Sequence, residues 1–133
     1  MTELPSSFQD LLSAPGVGVL TTIGPDGSPQ TTALWFLHQD GQIRLSLNSS
    51  RQKTRNLARD PRVSFFLMDP ANPYRTLEVR GTAVVTPDAD YAFAEQVGAK
   101  YGGVNLRDND REGETRVIVT IEPGRVITFP PGA

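Results

Sequence analysis

Short runs of alternating apolar and polar residues recur along the chain, and clusters of glycine, proline and aspartate separate them. Such runs are typical of half-buried strands, because successive side chains of a strand point to opposite faces. Strands are therefore predicted over residues 17–23, 29–38, 42–48, 62–69, 75–86, 115–122 and 125–129. Since the first three strands follow one another through short turns, the sheet is predicted to be antiparallel.

Three other segments have helical spacing. Helices are predicted over residues 6–14, 51–60 and 87–101, with Ser49 or Ser50 as cap of the second and Asp88 as cap of the third. Gly81 interrupts a predicted strand and indicates a bulge or a bend. Sequential antiparallel strands with one helix inserted between them predict a mainly β protein of six to seven strands, closed or partly closed into a barrel. A doubly wound sheet would need regular strand–helix alternation, which this sequence lacks.

Composition narrows the possible chemistry. The chain has 133 residues, which predicts a single domain over residues 1–133. It has no cysteine and one histidine, which excludes a disulfide scaffold, a thiolate nucleophile and a multi-histidine metal site, so no metal is expected. A net charge of −2 does not favour nucleic acid as a partner. Without a membrane-length apolar run or a signal-peptide pattern, a cytoplasmic protein that binds no membrane is predicted.

Positive charge is concentrated between residues 51 and 62, where five of the chain's 13 lysines and arginines lie beside a single acid, Asp60. A helix is predicted to begin here, and the free amides of a helix N-terminus attract phosphate. Arg51 offers a planar fork, Lys53 a compact charge, and hydroxyls are nearby at Ser46, Ser49 and Ser50. On an ideal helix Arg51 and Lys53 lie about 200° apart, so both can hold one group only if Arg51 lies in an irregular first turn.

A solvated helix face is the alternative interpretation of these charges. Arg51, Arg55 and Arg59 recur every four residues and could pair with the acidic loop over residues 102–114. The charge cluster alone leaves both possibilities open.

The aromatic pair Trp35–Phe36 is predicted to place its two rings on opposite faces of one strand. The ring beside the polar residues of the strand over 42–48 suits contact with a planar ligand. His38, at the end of a predicted strand, is expected to be a solvated or edge residue. No acid, base or nucleophile stands out, so no catalytic residue is predicted.

Several segments resemble a known family: GVGVLTTIGPDGSPQTTALWF from Gly16, RQKTRNLARDPRVSFF from Arg51, LEVRGTAVV from Leu77, and RVIVTIEP with VITFPPG near the end. Together they resemble the split β-barrel family that binds FMN or a deazaflavin and is related to pyridoxamine 5′-phosphate oxidase. The most specific part is the block RQKTRNL followed by DPR. Short barrels with this block are most similar to the branch that uses coenzyme F420, a deazaflavin with a phosphate and a glutamate tail.

The resemblance implies a six- to seven-stranded antiparallel split β-barrel that forms a homodimer, with cofactor sites at the interface completed by the partner's last strands. It places Arg51 and Lys53 on the cofactor phosphate and the strand from Thr32 to Trp35 under the ring. The other implied cofactor-binding residues adjoin these two groups: Ser46, Asn48, Ser49, Ser50, Thr54 and Asn56.

The implied activity is that of an F420-dependent oxidoreductase that passes a hydride between C5 of the deazaflavin and a small organic substrate. In such enzymes the cofactor performs the chemistry, and the protein supplies orientation and a water-poor site. An FMN-dependent oxidoreductase of the same fold is the first alternative. A non-catalytic protein that stores or shields a cofactor or a tetrapyrrole is the second.

Overall fold

The computed structural model describes residues 2–132. Within that range seven strands form one antiparallel sheet: β1 (Gly18–Ile23), β2 (Pro29–Leu34), β3 (Leu37–Gln39), β4 (Gln42–Asn48), β5 (Arg62–Asp69), β6 (Asn72–Pro87) and β7 (Arg116–Phe129). The strand order is β2-β1-β5-β6-β7-β4-β3. The helices are α1 (Gln9–Ser13), α2 (Gln52–Arg59) and α3 (Ala92–Lys100), with 3-10 turns at Ser6–Phe8 and Leu106–Asn109. The predicted antiparallel split-barrel fold is confirmed. No helix in the described range has the length and apolar character needed to span a membrane.

The alternation seen in the sequence produces the core. In β5 the side chains of Val63, Phe65 and Leu67 are buried, while their neighbours point outwards. The facing residues of β1, β4, β6 and β7 complete one continuous apolar cluster inside the curled sheet. A second, smaller cluster lies under α3 and includes Phe93 and Val97. The burial of both clusters provides the main favourable free energy of folding.

The two outer strands of the sheet, β2 and β3, are consecutive in the chain and are joined only by Trp35 and Phe36. Three peptide units separate Leu34 from Leu37, so these ends of the outer strands lie within about 11 Å of each other. The sheet must therefore curl until its first and last strands approach. The gap between them is the split of the barrel, and the segment Trp35–Phe36 crosses it.

The prediction of one strand over residues 29–38 is therefore wrong at this segment, which belongs to neither β2 nor β3. The two rings still differ in environment as expected, because Phe36 is fully buried whereas Trp35 is only partly buried. The backbone of Phe36 forms its hydrogen bonds with side chains and not with a neighbouring strand. Its N–H donates to the Tyr101 hydroxyl (3.2 Å), and its carbonyl accepts from Lys100 Nζ (2.9 Å). Because Lys100 at the end of α3 and Tyr101 directly after it satisfy these polar groups, the strand can break in the interior, where the ring of Phe36 is fully buried.

The burial of Lys100 against the carbonyl of Phe36 can be tested by measuring the free energy of unfolding at alkaline pH. Burial lowers the pKa of Lys100 to about 8, from 10.5 in an unperturbed chain. Between these values the unfolded chain binds more protons than the folded one, so Lys100 makes the free energy of unfolding rise with pH. Urea denaturation between pH 8 and pH 10.5 should show this rise in the wild type and a smaller one in Lys100→Met. The same pH dependence in both proteins would contradict the lowered pKa.

Strands β6 and β7 are longer than predicted. The segments over 115–122 and 125–129 form one strand, because β7 continues through Pro123 while its register with β6 shifts between Arg80 and Gly81. The predicted bulge at Gly81 is confirmed, and a Cβ there would collide with the carbonyl oxygen of Glu122. The predicted loop 70–73 is shorter than expected because β6 already begins at Asn72.

The helices are shorter than predicted. The segment 6–14 is a 3-10 turn followed by one short α-helix, and α3 begins at Ala92, five residues after the predicted start. The predicted capping by Asp88 is confirmed, since its carboxylate accepts hydrogen bonds from the amides of Phe93 (3.1 Å) and Ala94 (2.9 Å). The predicted cap of α2 is wrong. Arg51 is the residue before the helix, and no side chain caps it.

Candidate cofactor site at the split of the barrel

Arg51 lies outside the regular turns of α2. Its backbone is extended (φ −71°, ψ 148°), and the helix begins at the next residue. This satisfies the condition that the sequence imposed, since Arg51 and Lys53 now line the same cavity of about 330 Å³. The cavity lies at the split, between Trp35 and the two residues Ser46 and Asn48 of β4. Four predicted groups are thereby brought together: the two cations at the start of α2, a hydroxyl, an amide and an aromatic ring.

Lys53 is half-buried in this cavity, and burial lowers its pKa, with further lowering by the positive charges of Arg51 and Arg116. Among residues 2–132, neither Arg51 nor Lys53 forms an ion pair or a side-chain hydrogen bond. Three cations around one small cavity repel one another, and a bound anion would relieve that repulsion. The donor set therefore fits a phosphate group.

Arg116 is the site residue that the sequence did not reveal. It begins β7 opposite Asn48, and its guanidinium forms a buried ion pair with Asp110 at 2.8 Å, with the side chains only 9% and 5% exposed. It also donates to Ser46 Oγ (3.3 Å) and to the carbonyl of Leu106. In the sequence, the only indication of its role was a charged residue near the start of the predicted apolar strand over residues 115–122. Its pairing with β4 became visible only in the sheet.

Asp110 holds Arg116 in place as a carboxylate. Burial alone would raise the pKa of Asp110, but hydrogen bonds from Arg116, Asn48 and Tyr91 outweigh it and lower the pKa. Glu114 provides a second carboxylate beside that of Asp110. Its oxygens accept hydrogen bonds from Asn48 Nδ2 (3.1 Å) and from the Ser50 hydroxyl (2.6 Å). The acidic loop over residues 102–114 therefore forms hydrogen bonds with residues beside the cavity and not with the exposed face of α2.

The arginines on the other side of α2 take local partners. Arg55 donates to Gln52, and Arg59 donates to the carbonyl of Ile23. The predicted stripe of Arg51, Arg55 and Arg59 is therefore divided. Arg51 faces the cavity, whereas the other two residues are exposed and bonded elsewhere.

Four predicted site residues, Ser49, Ser50, Thr54 and Asn56, stabilise the surroundings of the cavity and do not line it; Ser50 does so through its bond to Glu114. Thr54 is buried and donates to the carbonyl of Asn48 (2.8 Å), and Asn56 donates to Thr22 and Gln30. The Ser49 hydroxyl pairs with that of Thr115 at 2.7 Å. These contacts fix the start of α2 against β1, β2 and β4. Contact of these four residues with a cofactor stays a prediction.

Thr32 lies one pleat before Leu34 on the same face of β2, and Leu34 is part of the cavity wall. The Thr32 hydroxyl oxygen is buried and has no hydrogen-bond partner within the described part of the chain. A buried hydroxyl without a partner costs free energy, so a ligand group that bonds to it would be favoured. Its predicted place near a cofactor ring is compatible with this position.

Comparison with known proteins gives a consistent result. A family model described as pyridoxamine 5′-phosphate oxidase matches residues 4–129. A solved structure described as an F420 reductase is 35% identical, with a TM-score of 0.81, over 92% of this chain and 98% of that chain. A conserved hypothetical protein from Mycobacterium tuberculosis is 30% identical, with a TM-score of 0.77, over 97% of this chain and 86% of that one.

A heme-binding protein from Mycobacterium smegmatis is 21% identical, with a TM-score of 0.69, over 99% of this chain and 57% of that one. At this identity the likeness shows the fold alone. The family match covers almost the whole described chain and confirms the resemblance seen in the sequence. It supports an oxidoreductase that uses a flavin or a deazaflavin. The chain therefore belongs to the pyridoxamine 5′-phosphate oxidase family of split β-barrel proteins.

Proposed function

We propose that this protein is an F420-dependent reductase that transfers a hydride between the deazaflavin and a small organic substrate. The observation that carries the proposal is the cavity at the split of the barrel, where Arg51 and Lys53 lie without an acidic partner in the described chain. The 35% identity to a protein described as an F420 reductase favours the deazaflavin over other cofactors.

In this proposal the chain's own residues bind and orient. Arg51 and Lys53 hold the cofactor phosphate, and Ser46, oriented by Arg116, adds a hydroxyl. Trp35 and the β2 residues around Thr32 lie beside the ring. The bound deazaflavin would supply hydride chemistry at its ring, so the protein needs no nucleophile of its own. The hydrophobic side chains of Leu34, Val97 and Leu106, which also line the cavity, would exclude water.

Titration separates this proposal from its alternatives. With micromolar protein we expect a saturable change in F420 fluorescence, much weaker binding of FMN, and turnover of at least one enone or quinone by the F420-loaded protein. A preparation that is yellow and releases FMN would favour the FMN-dependent enzyme, which the family membership also supports. Binding of F420 without turnover of any screened substrate would favour a non-catalytic carrier, and binding of neither cofactor would contradict the proposal.

We also propose a homodimer, the assembly that the family resemblance implies. An apolar cavity of about 770 Å³ lies beside the barrel, lined by residues of α1, β1 and β5. Three of its apolar side chains are well exposed: Val17 (56%), Met68 (49%) and Phe66 (37%). Clustered exposed apolar side chains mark association surfaces, so this face is where we expect the second copy to bind. A cytoplasmic location stays a prediction.

A further inference from the structure

Tyr101, the residue that follows α3, is anchored at its hydroxyl. The hydroxyl donates to the carbonyl of Gly16 (2.6 Å) and accepts from the N–H of Phe36 (3.2 Å). Burial raises the pKa of Tyr101, so the hydroxyl keeps its proton and remains a donor. The ring is thus fixed between the segment that precedes β1 and the segment that crosses the split.

The ring of Tyr101 stacks on the ring of Trp35, with the centroids 4.4 Å apart and the planes 6° from parallel. Trp35 lines the cavity together with Arg51 and Lys53. It lies in the segment between β2 and β3, so no strand ladder orients it. Its indole N–H makes no hydrogen bond within residues 2–132. Trp35 also packs against the apolar cluster under α3, and the stack on Tyr101 is its one parallel ring contact within the described residues.

We propose that Tyr101 is a positioning residue that sets the plane of Trp35, and through it the orientation in which a planar cofactor ring lies in the cavity. Arg51 and Lys53, at the start of α2, would hold the phosphate end, whereas Tyr101, which does not line the cavity, acts on the ring end through Trp35. The part that concerns the cofactor ring rests on the proposed function. The part that concerns Trp35 does not.

The test uses the fact that Trp35 is the chain's single tryptophan, so its spectra report one ring. Tyr101→Leu removes the stack, and Tyr101→Phe keeps the stack but removes the hydroxyl anchor. Tyr74→Leu is the matched control, because Tyr74 is 74% exposed and does not line the cavity. Near-ultraviolet circular dichroism and acrylamide quenching of Trp35 are measured first on each protein without ligand.

Tyr101→Leu should lose most of the Trp35 dichroism and quench more readily, Tyr101→Phe should show a smaller change, and Tyr74→Leu should match the wild type. F420 binding by Tyr101→Leu should weaken about three- to tenfold, the range of an aromatic contact. The affinity for inorganic phosphate, measured by ³¹P line broadening, should stay unchanged, because the cations of α2 remain in place.

Two outcomes would overturn the inference. Wild-type spectra of Trp35 in both Tyr101 variants would show that the stack does not set the indole plane. A parallel loss of F420 and phosphate affinity would show that Tyr101 only supports the fold. If the wild type binds no F420, the proposed function fails, while the ligand-free spectra still decide whether Tyr101 positions Trp35.

Discussion

Replacing Arg51 and Lys53 together by alanine should weaken F420 binding about 100- to 10,000-fold. The reason is that each charged hydrogen bond to a phosphate contributes about 1.5–3 kcal/mol, and both cations line one cavity. Each single variant should lose about the square root of the combined effect if the two contacts act independently. Fluorescence titration of F420 at constant ionic strength gives the dissociation constants.

Arg55→Ala is the matched control for this double variant. It removes the same kind of charge from the same helix, but Arg55 is exposed and bonds to Gln52 outside the cavity. Its affinity for F420 should therefore stay close to that of the wild type. An equal loss in Arg55→Ala would show that general positive charge attracts the cofactor, and undiminished binding by the double variant would remove the basis of the proposed site.

Asp110→Asn should lower the free energy of unfolding by about 3–5 kcal/mol, which is the typical cost of leaving one member of a buried ion pair without its partner. The Arg116 guanidinium would then be an uncompensated buried charge, and the positive charge of Lys53 repels it further. Urea denaturation at pH 7 measures the effect. Because Arg116 also donates to Ser46, weaker cofactor binding is expected alongside the lower stability.

The pH dependence provides an independent check of the Asp110 carboxylate. Its pKa in the folded protein lies below the ordinary value of 3.8, so its stabilising contribution is present above that pH. The contribution is lost as the pH falls through the folded-state pKa. The stabilities of the wild type and Asp110→Asn should therefore converge in acid. Asp40→Asn, which removes an 81% exposed partner of Arg44, should change stability little, and a comparable loss there would contradict the role of burial.

Local sequence patterns were sufficient to predict most strands and the turns between them. Strand β5 begins and ends at the predicted residues, because alternation of Val63, Phe65 and Leu67 with outward-facing neighbours is a property of the strand itself. The capping by Asp88 and the bulge at Gly81 were also visible, since each depends on one residue type in a local setting. The basic cluster that contains Arg51 and Lys53 was also visible at the start of a predicted helix, although charge and spacing alone left a solvated helix face as an alternative.

The arrangement of the site was decided by contacts between residues far apart in the chain. The start of α2 depends on Thr54 bonding back to Asn48 and on Asn48 and Ser50 bonding to the acidic loop, so the expected serine caps are used elsewhere. Arg116 joins the cavity only because β7 pairs with β4. A single strand or helix contains none of this information.

By itself, the sequence determined a mainly β chain with one basic helix start and a resemblance to a cofactor-binding barrel family, because period, turn residues and charge spacing are local properties. The tertiary structure alone decided where the barrel splits. The stretch Trp35–Phe36 has strand composition, yet Lys100 and Tyr101, more than 60 residues away, bind the backbone of Phe36 and stack on Trp35. The physical reason is that a buried backbone takes whichever hydrogen-bond partners folding brings to it, and here these came from the end of α3 and the residue after it instead of from a neighbouring strand.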